Sequence, residues 1–325
     1  MKYDNEKRRA RVRSRLLFPV ALVVLGSALF VAACGSDSNS GGGGNLSGSI
    51  KIDGSSTVGP LTEAAAELFR ADNRDVRITV GISGTGGGFE KFCAGETDIN
   101  DASREIEKEE IDACKKKSVQ YGDAQVANDG IAVVVNPQAD WADCLTTAEL
   151  KKIWEPGSKV NNWNQVKSSY PDQQMKLFGA GTDSGTFEYF NEAINGDKAA
   201  SRKDYSPSED DNITVQGVSG GKGNMGYFGL SYAIANKDKV KTLQVDGGDG
   251  CVEPTTQTVQ DGNYKPLSRP LFIYPSQKAL QNKATAEFVK FYVDNYEEIA
   301  KQAQFVPMTA DQAQKAKAAV TQLEG

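Results

Sequence analysis

Histidine is missing from all 325 residues. That absence excludes Ser-His-Asp and Cys-His nucleophilic catalysis, histidine metal ligation and imidazole acid–base chemistry. Cysteine is scarce, five in the whole chain, and no two stand in a CxxC pair that would hold a metal. No Walker A pattern occurs, and no paired-carboxylate motif stands out. Positive charge is also in deficit. Lys and Arg number 37 against 43 Asp and Glu, a formal charge of −6. Phosphate-backbone binding needs clustered basic residues, so a general nucleic-acid binder is excluded.

What is present begins at the amino end. A basic segment, Lys7-Arg8-Arg9 through Arg15, precedes an apolar run from Leu16 to Ala33, the layout of a secretory signal. The run closes on Val31-Ala32-Ala33-Cys34-Gly35, which resembles a bacterial lipobox with Cys34 lipidated and first in the mature chain. An uncleaved membrane anchor is the alternative, and both readings place the remainder outside the cytoplasm. Residues 1–33 are therefore expected to be a signal peptide and 34–46 a lipidated Gly/Ser tether reaching on the order of 20 Å. Removing the leader takes away seven of 37 basic and two of 43 acidic residues, leaving 30 and 41, a net of −11. An anion held by such a chain depends on local dipoles and a few placed charges, which favours a small ligand in an enclosed site. After Cys34 four cysteines remain, Cys93, Cys114, Cys144 and Cys251, an even number suited to disulfides in any of three connectivities.

The rest alternates between strand and helix patterns. Gly48–Ile52 reads as a strand, and Leu61, Ala64, Ala65, Leu68 and Phe69 make a helical stripe. Val76–Val80 alternates as a strand, a helix is expected from Phe89, and Ile131–Val135 and Leu271–Tyr274 read as buried strands. The class is α/β with βαβ units. Three turns share one form: Asp53-Gly54-Ser55-Ser56-Thr57, Ser83-Gly84-Thr85-Gly86-Gly87-Gly88 and Gly181-Thr182-Asp183-Ser184-Gly185-Thr186. Each offers hydroxyls, a close backbone approach and a helix N-terminus, so together they point to an anion. A single one would mean only a capped helix. Residues 221–226 fit GxGxxG but follow no good strand, so a glycine-rich loop bordering the site is expected there rather than a nucleotide site.

The stretches DGSSTVGPLTEAAAELF, GISGTGGGFEKFCAGETDINDASREI, IWEPGSKVNNW and GAGTDSGTFEYFNEAI together resemble the phosphate-binding lipoproteins of bacterial phosphate ABC transporters, the Pst type. QGVSGGKGNMGYFGLSYA and LSRPLFIYPS extend the match from about residue 48 to 308. The resemblance implies a two-lobe type II periplasmic-binding-protein (Venus-flytrap) fold, with mixed sheets flanked by helices. Lobe 1 would be 47–127 plus 268–325 and lobe 2 128–267, with crossings near Asn128-Asp129-Gly130 and Ser268-Arg269-Pro270. Under that division, pairing Cys93 with Cys114 and Cys144 with Cys251 staples each lobe and leaves the hinge free. The phosphate ligands implied by position are Ser56 and Thr57; Gly84, Thr85 and Gly86; Ser103 and Arg104; and Ser184, Gly185 and Thr186. The best-known members carry an arginine and an aspartate just ahead of the Ser-Gly-Thr loop, where this chain has Gly179-Ala180-Gly181-Thr182. The carboxylate that accepts the phosphate proton is therefore assigned to Asp183, with Asp101 second.

The expected function is extracytoplasmic capture of inorganic phosphate and its delivery to the permease subunits of an ABC importer, by a monomer with no catalysis, cofactor or metal. The alternatives are a receptor for sulfate or molybdate, a secreted hydrolase, and an adhesion or signalling module that kept the clamp without its ligand. Lack of histidine, of metal-ligand clusters and of a GxSxG elbow argues against the hydrolase. The intact hydroxyl-rich loops argue against the emptied clamp.

Overall fold

The computed structural model describes residues 46–182, 184–208 and 210–324. The stretch expected to be a signal peptide, Cys34, nearly all of the expected tether and Asp183 lie outside the described residues.

Twelve strands and thirteen helices follow one another along the described residues. First come β1 (Ser47–Gly54), α1 (Gly59–Asp72), β2 (Asp75–Ile82), α2 (Gly84–Cys93), β3 (Ile99–Ala102) and α3 (Lys108–Lys116). The long strand β4 (Ala124–Val135) leads into β5 (Cys144–Thr146), α4 (Thr147–Trp154), α5 (Trp163–Val166), β6 (Leu177–Ala180), α6 (Gly185–Asn195), β7 (Ser206–Ser208) and α7 (Asp211–Ser219). Then follow β8 (Met225–Gly229), α8 (Leu230–Ala235), β9 (Lys241–Thr242), β10 (Gln244–Asp246), β11 (Cys251–Val252) and α9 (Thr256–Gln260). The chain returns through β12 (Ser268–Pro275) to α10 (Gln277–Leu280), α11 (Lys283–Asp294), α12 (Tyr296–Gln302) and α13 (Ala310–Glu324).

The apolar stripe of α1 does what its spacing predicts: Leu61, Ala64, Ala65 and Phe69 are all buried. Pro60 sits in the first turn, where an amide hydrogen would have no helical partner to lose. The strands run in the order β2-β1-β3-β12-β4-β8-β6-β7, with β9 also on β4, and β11-β10-β5 form a separate small sheet. β1 pairs in parallel with β2 and β3, as does β6 with β7 and β8, so the βαβ reading holds on both flanks. The centre is antiparallel. β4 pairs with β12 from Ala124 to Gly130 and with β8 from Ile131 to Val135. One strand thus changes neighbours midway and belongs to both flanks.

Two cores lie on either side of that change. One gathers Ile50 to Ala127 with Leu271 to Val320, and the other gathers Ile131 to Leu267 with Val306. Each holds its own disulfide nearby, as the resemblance implies. Cys93–Cys114 packs with Phe89, Phe92 and Tyr274, and Cys144–Cys251 ties β5 to β11.

The helix expected from Phe89 starts five residues earlier, at Gly84. Gly86, Gly87 and Gly88 would weaken an isolated helix. Here a side chain on Gly88 would meet Asn100 Oδ1 at 2.1 Å and Gly54 Cα at 2.5 Å. The glycine run is helical because α2 must lie flush on the β1–α1 turn.

Candidate functional site

The three hydroxyl-rich turns lie at the starts of α1, α2 and α6. In the first, Ser55 Oγ accepts from the Thr57 and Val58 amides, at 3.1 and 3.4 Å, which winds the chain into α1. Ser56 Oγ donates to Glu188 Oε2 of α6 at 3.1 Å, across the two flanks. Thr57 is buried, and its hydroxyl oxygen accepts from Arg269 Nη2 at 2.8 Å. In the second turn, Gly84 opens α2 at φ 77, a left-handed conformation that glycine adopts without strain. The Thr85 hydroxyl accepts from the Ser103 amide and shares a hydrogen bond with the Ser103 hydroxyl, both at 3.1 Å. In the third, Ser184 caps α6 by accepting from the Thr186 amide at 3.1 Å.

The first and third turns touch. A Cβ on Gly185 would lie 2.5 Å from Thr57 Oγ1 and 2.9 Å from the Thr57 backbone nitrogen. Of the three turns only the second, through Thr85, lines a cavity of ≈ 470 Å³, together with Ser103, Arg104, Glu105, Tyr189, Glu192, Lys198, Arg269 and Pro270. Ser56, Thr57, Gly84, Gly86, Ser184, Gly185 and Thr186 do not line it, although Thr57 reaches its wall through Arg269.

Arg104 lines the cavity, but its fork is engaged elsewhere. Nη1 and Nη2 grip both oxygens of Glu110 at 2.9 and 2.8 Å, and Nε meets Glu107 at 3.1 Å. Those carboxylates hold the guanidinium charged and largely offset its field. A second arginine, not read as a ligand from sequence, lies at the centre. Arg269 of β12 stacks over the Tyr189 ring at 3.6 Å and faces Asp129 of β4 at 3.4 Å. Burial pushes the Asp129 carboxyl up, and Arg269 pulls against that shift. The signal in the sequence was Ser268-Arg269-Pro270 itself, a cation directly ahead of a buried strand, noticed only as a crossing.

Asp101, the second carboxylate considered, does not line the cavity. It is fully buried near Thr62 and Tyr292, and neither carboxyl oxygen has a hydrogen-bond partner among the described residues. Burial pushes its carboxyl up to about 8, Asp53 adds to the rise and Thr62 opposes it. Folded Asp101 therefore keeps its proton between about pH 4 and pH 8, whereas the unfolded chain releases it. This group should make stability fall as pH rises through that window, by up to about 1.4 kcal/mol per pH unit. Urea unfolding of wild type and Asp101→Asn at pH 5, 6 and 7 checks this: the variant should lose that part of the slope. An unchanged slope would mean that Asp101 is ionised in the fold.

The loop at Ser219–Asn224 does not border the cavity, contrary to expectation. It lies where β8 begins, against Gln173 and Gln174, and Gly223 O accepts from Trp163 Nε1 at 2.8 Å. Its glycines serve that close packing. Gly217-Val218-Ser219-Gly220-Gly221 also spells GxSxG, yet Ser219 ends α7 and donates to Gln216 O, with no strand-to-helix elbow to expose it. No cluster that could hold a metal occurs among the described residues.

A model of the PBP superfamily domain matches residues 39–295. The chain belongs to the PBP superfamily. Among similar proteins, Protein SphX of Synechococcus elongatus is 48% identical over 276 residues, 84% of this chain and 80% of that one. The phosphate-binding protein PstS of Staphylococcus saprophyticus is 39% identical over 288 residues, 87% of this chain and 88% of that one. A crystal structure of "a possible phosphate binding protein" from Planctomyces limnophilus superposes with a TM-score of 0.82 at 43% identity, covering 86% of this chain and all of that one. The mixed α/β, two-lobe periplasmic-binding-protein architecture and the family of Pst-type solute-binding proteins, which are not enzymes, follow from these likenesses.

Proposed function

We propose that this protein is an extracytoplasmic receptor that captures inorganic phosphate between two lobes and delivers it to the permease of an ABC importer, catalysing nothing. The observation that carries the reading is the contact of Thr57 with Gly185, where turns from opposite flanks meet beside a cavity walled by hydroxyls and two arginines. The lobes are taken as 47–127 plus 268–325 and 128–267, a division supported by the two cores and by the change of partner along β4. Only a closed pair of lobes offers donors from both sides to one anion, so binding and closure are coupled.

The proposed ligands are the Ser56-Thr57 turn, the Gly84-Thr85-Gly86 start of α2, Ser103, and the Ser184-Gly185-Thr186 start of α6. Arg104 stands in the wall with its charge largely offset by Glu107 and Glu110, and Asp183 is the carboxylate that accepts the phosphate proton. Helix N-termini and hydroxyls suit a small dehydrated anion in a protein of negative net charge. The leader and Cys34 are read as a signal peptide and a lipid anchor, so the monomeric receptor works tethered at the outer face of the cell membrane.

Calorimetric titration of the leaderless protein, freed of phosphate, tests the reading. One-to-one phosphate binding is expected near pH 7, with sulfate weaker by a factor on the order of 10⁴, because a carboxylate that finds no proton to accept rejects the ligand. Equal binding of sulfate would overturn the proton-accepting carboxylate. Silence with both anions would overturn the receptor reading.

A further inference from the structure

Four observations single out Arg269. It stands on β12, one of the two strands that pass between the flanks. Its Nη2 donates to Thr57 Oγ1 at 2.8 Å, and its guanidinium lies 3.6 Å above the Tyr189 ring of α6, so one side chain touches the starting segments of both walls. Its Nε faces Asp129 on the neighbouring strand at 3.4 Å. Its Nη1 takes no hydrogen bond among the described residues, while the side chain lines the cavity. Arg104 lines the same cavity, but its Nε, Nη1 and Nη2 are all engaged by Glu107, Glu110 or the Glu105 carbonyl.

We propose that Arg269 is the guanidinium that grips the anion, and that Asp129 is the positioning residue that aims it from the neighbouring strand. The inference rests on the phosphate-receptor reading above and adds to it a ligand planted on the hinge. A planar fork fixed by a stacked ring and a carboxylate presents Nη1 at a set angle, which a lysine could not do. Thr57 accepts from Arg269 and so keeps its own hydroxyl hydrogen for the anion. One anion oxygen would then hold both the fork and the Thr57 turn. Tyr189 carries the fork on α6, so engaging the anion draws the two walls onto one side chain.

The test is phosphate calorimetry on Arg269→Gln, Arg269→Lys and Arg104→Gln beside wild type, with circular-dichroism melting of each phosphate-free protein to verify folding. Arg269→Gln is expected to weaken phosphate binding by roughly 10²-fold. Arg269→Lys, which keeps the charge but loses the fork, should weaken it by about tenfold, and Arg104→Gln by less than about fivefold. If Arg269→Gln fails to fold, the lysine variant decides. A folded Arg269 variant with wild-type affinity overturns the proposal, as does a larger loss at Arg104. For Asp129, a double-mutant cycle applies: Asp129→Asn should weaken binding in wild type but not further in Arg269→Gln. Additive losses would show Asp129 acting only on the fold. Failure of wild type to bind phosphate would instead sink the receptor reading, so the two failures are told apart.

Discussion

Gly185→Val is expected to weaken phosphate binding on the order of 10³-fold while the phosphate-free protein melts within a few degrees of wild type. Gly185 stands against Thr57 with no room for a side chain: a Cβ there would lie 2.9 Å from both the Thr57 Cα and its backbone nitrogen. The obstruction is backbone, so no side-chain rotation relieves it. A valine there is tolerated when the walls stand apart and forbidden when they meet. With closure blocked, the anion keeps one wall and loses the donors of the other. Three charge-assisted hydrogen bonds at about 1.5 kcal/mol each, the low end of their range, amount to that loss. Calorimetry and a melting curve together decide it. Affinity within tenfold of wild type would mean that contact between Thr57 and Gly185 is not needed for capture.

The second large effect concerns stability. Cys144 and Cys251 are 107 residues apart, whereas Cys93 and Cys114 are 21 apart. A link closing the longer loop removes more freedom from the unfolded chain, about 4.7 kcal/mol for a loop near 100 residues and about 3 for one of 15. Domains of ordinary stability hold only about 5–15 kcal/mol in total. Replacing Cys144 and Cys251 by alanine should therefore cost more than replacing Cys93 and Cys114, and a reducing agent should lower the urea midpoint of the wild type. Equal midpoints for the two double variants would refute the ranking.

Much of this was legible in the chain. The stripe from Leu61 to Phe69 and the alternation of Val76–Val80 gave α1 and β2, because periodicity reports which face is buried. The three hydroxyl-rich turns were found for the same local reason: glycine, serine and threonine before a helix are a short-range pattern. Three features were not legible. Gly84–Gly88 reads as a turn by propensity, and only the flush contact with Gly54 and Asn100 makes it helical. The Ser219–Asn224 loop looks like the others in sequence but precedes its strand β8, whereas the turns after β1, β2 and β6 follow theirs, so it lies at the other end of the parallel pair β6–β8. Arg104 and Arg269 are each one charged residue beside a strand, and what separates them is the company they keep in space, Glu110 in one case and Tyr189 in the other. Tyr189 and Arg269 are 80 residues apart, and a partnership over that distance leaves no local mark.

The shared strand β4 also sets the order in which the molecule can be made. The core holding β1, β2 and β3 needs β12 and α11 to α13, which emerge from the ribosome some 170 residues after β3. The core between Ile131 and Leu267 is nearly continuous in sequence and can close first, apart from Val306. Long-range pairing of that kind is slow, and a half-built sheet with β3 unpaired on one side invites association. Until β12 arrives, the segment from β1 to β3 is thus an unfinished edge waiting for its own far end.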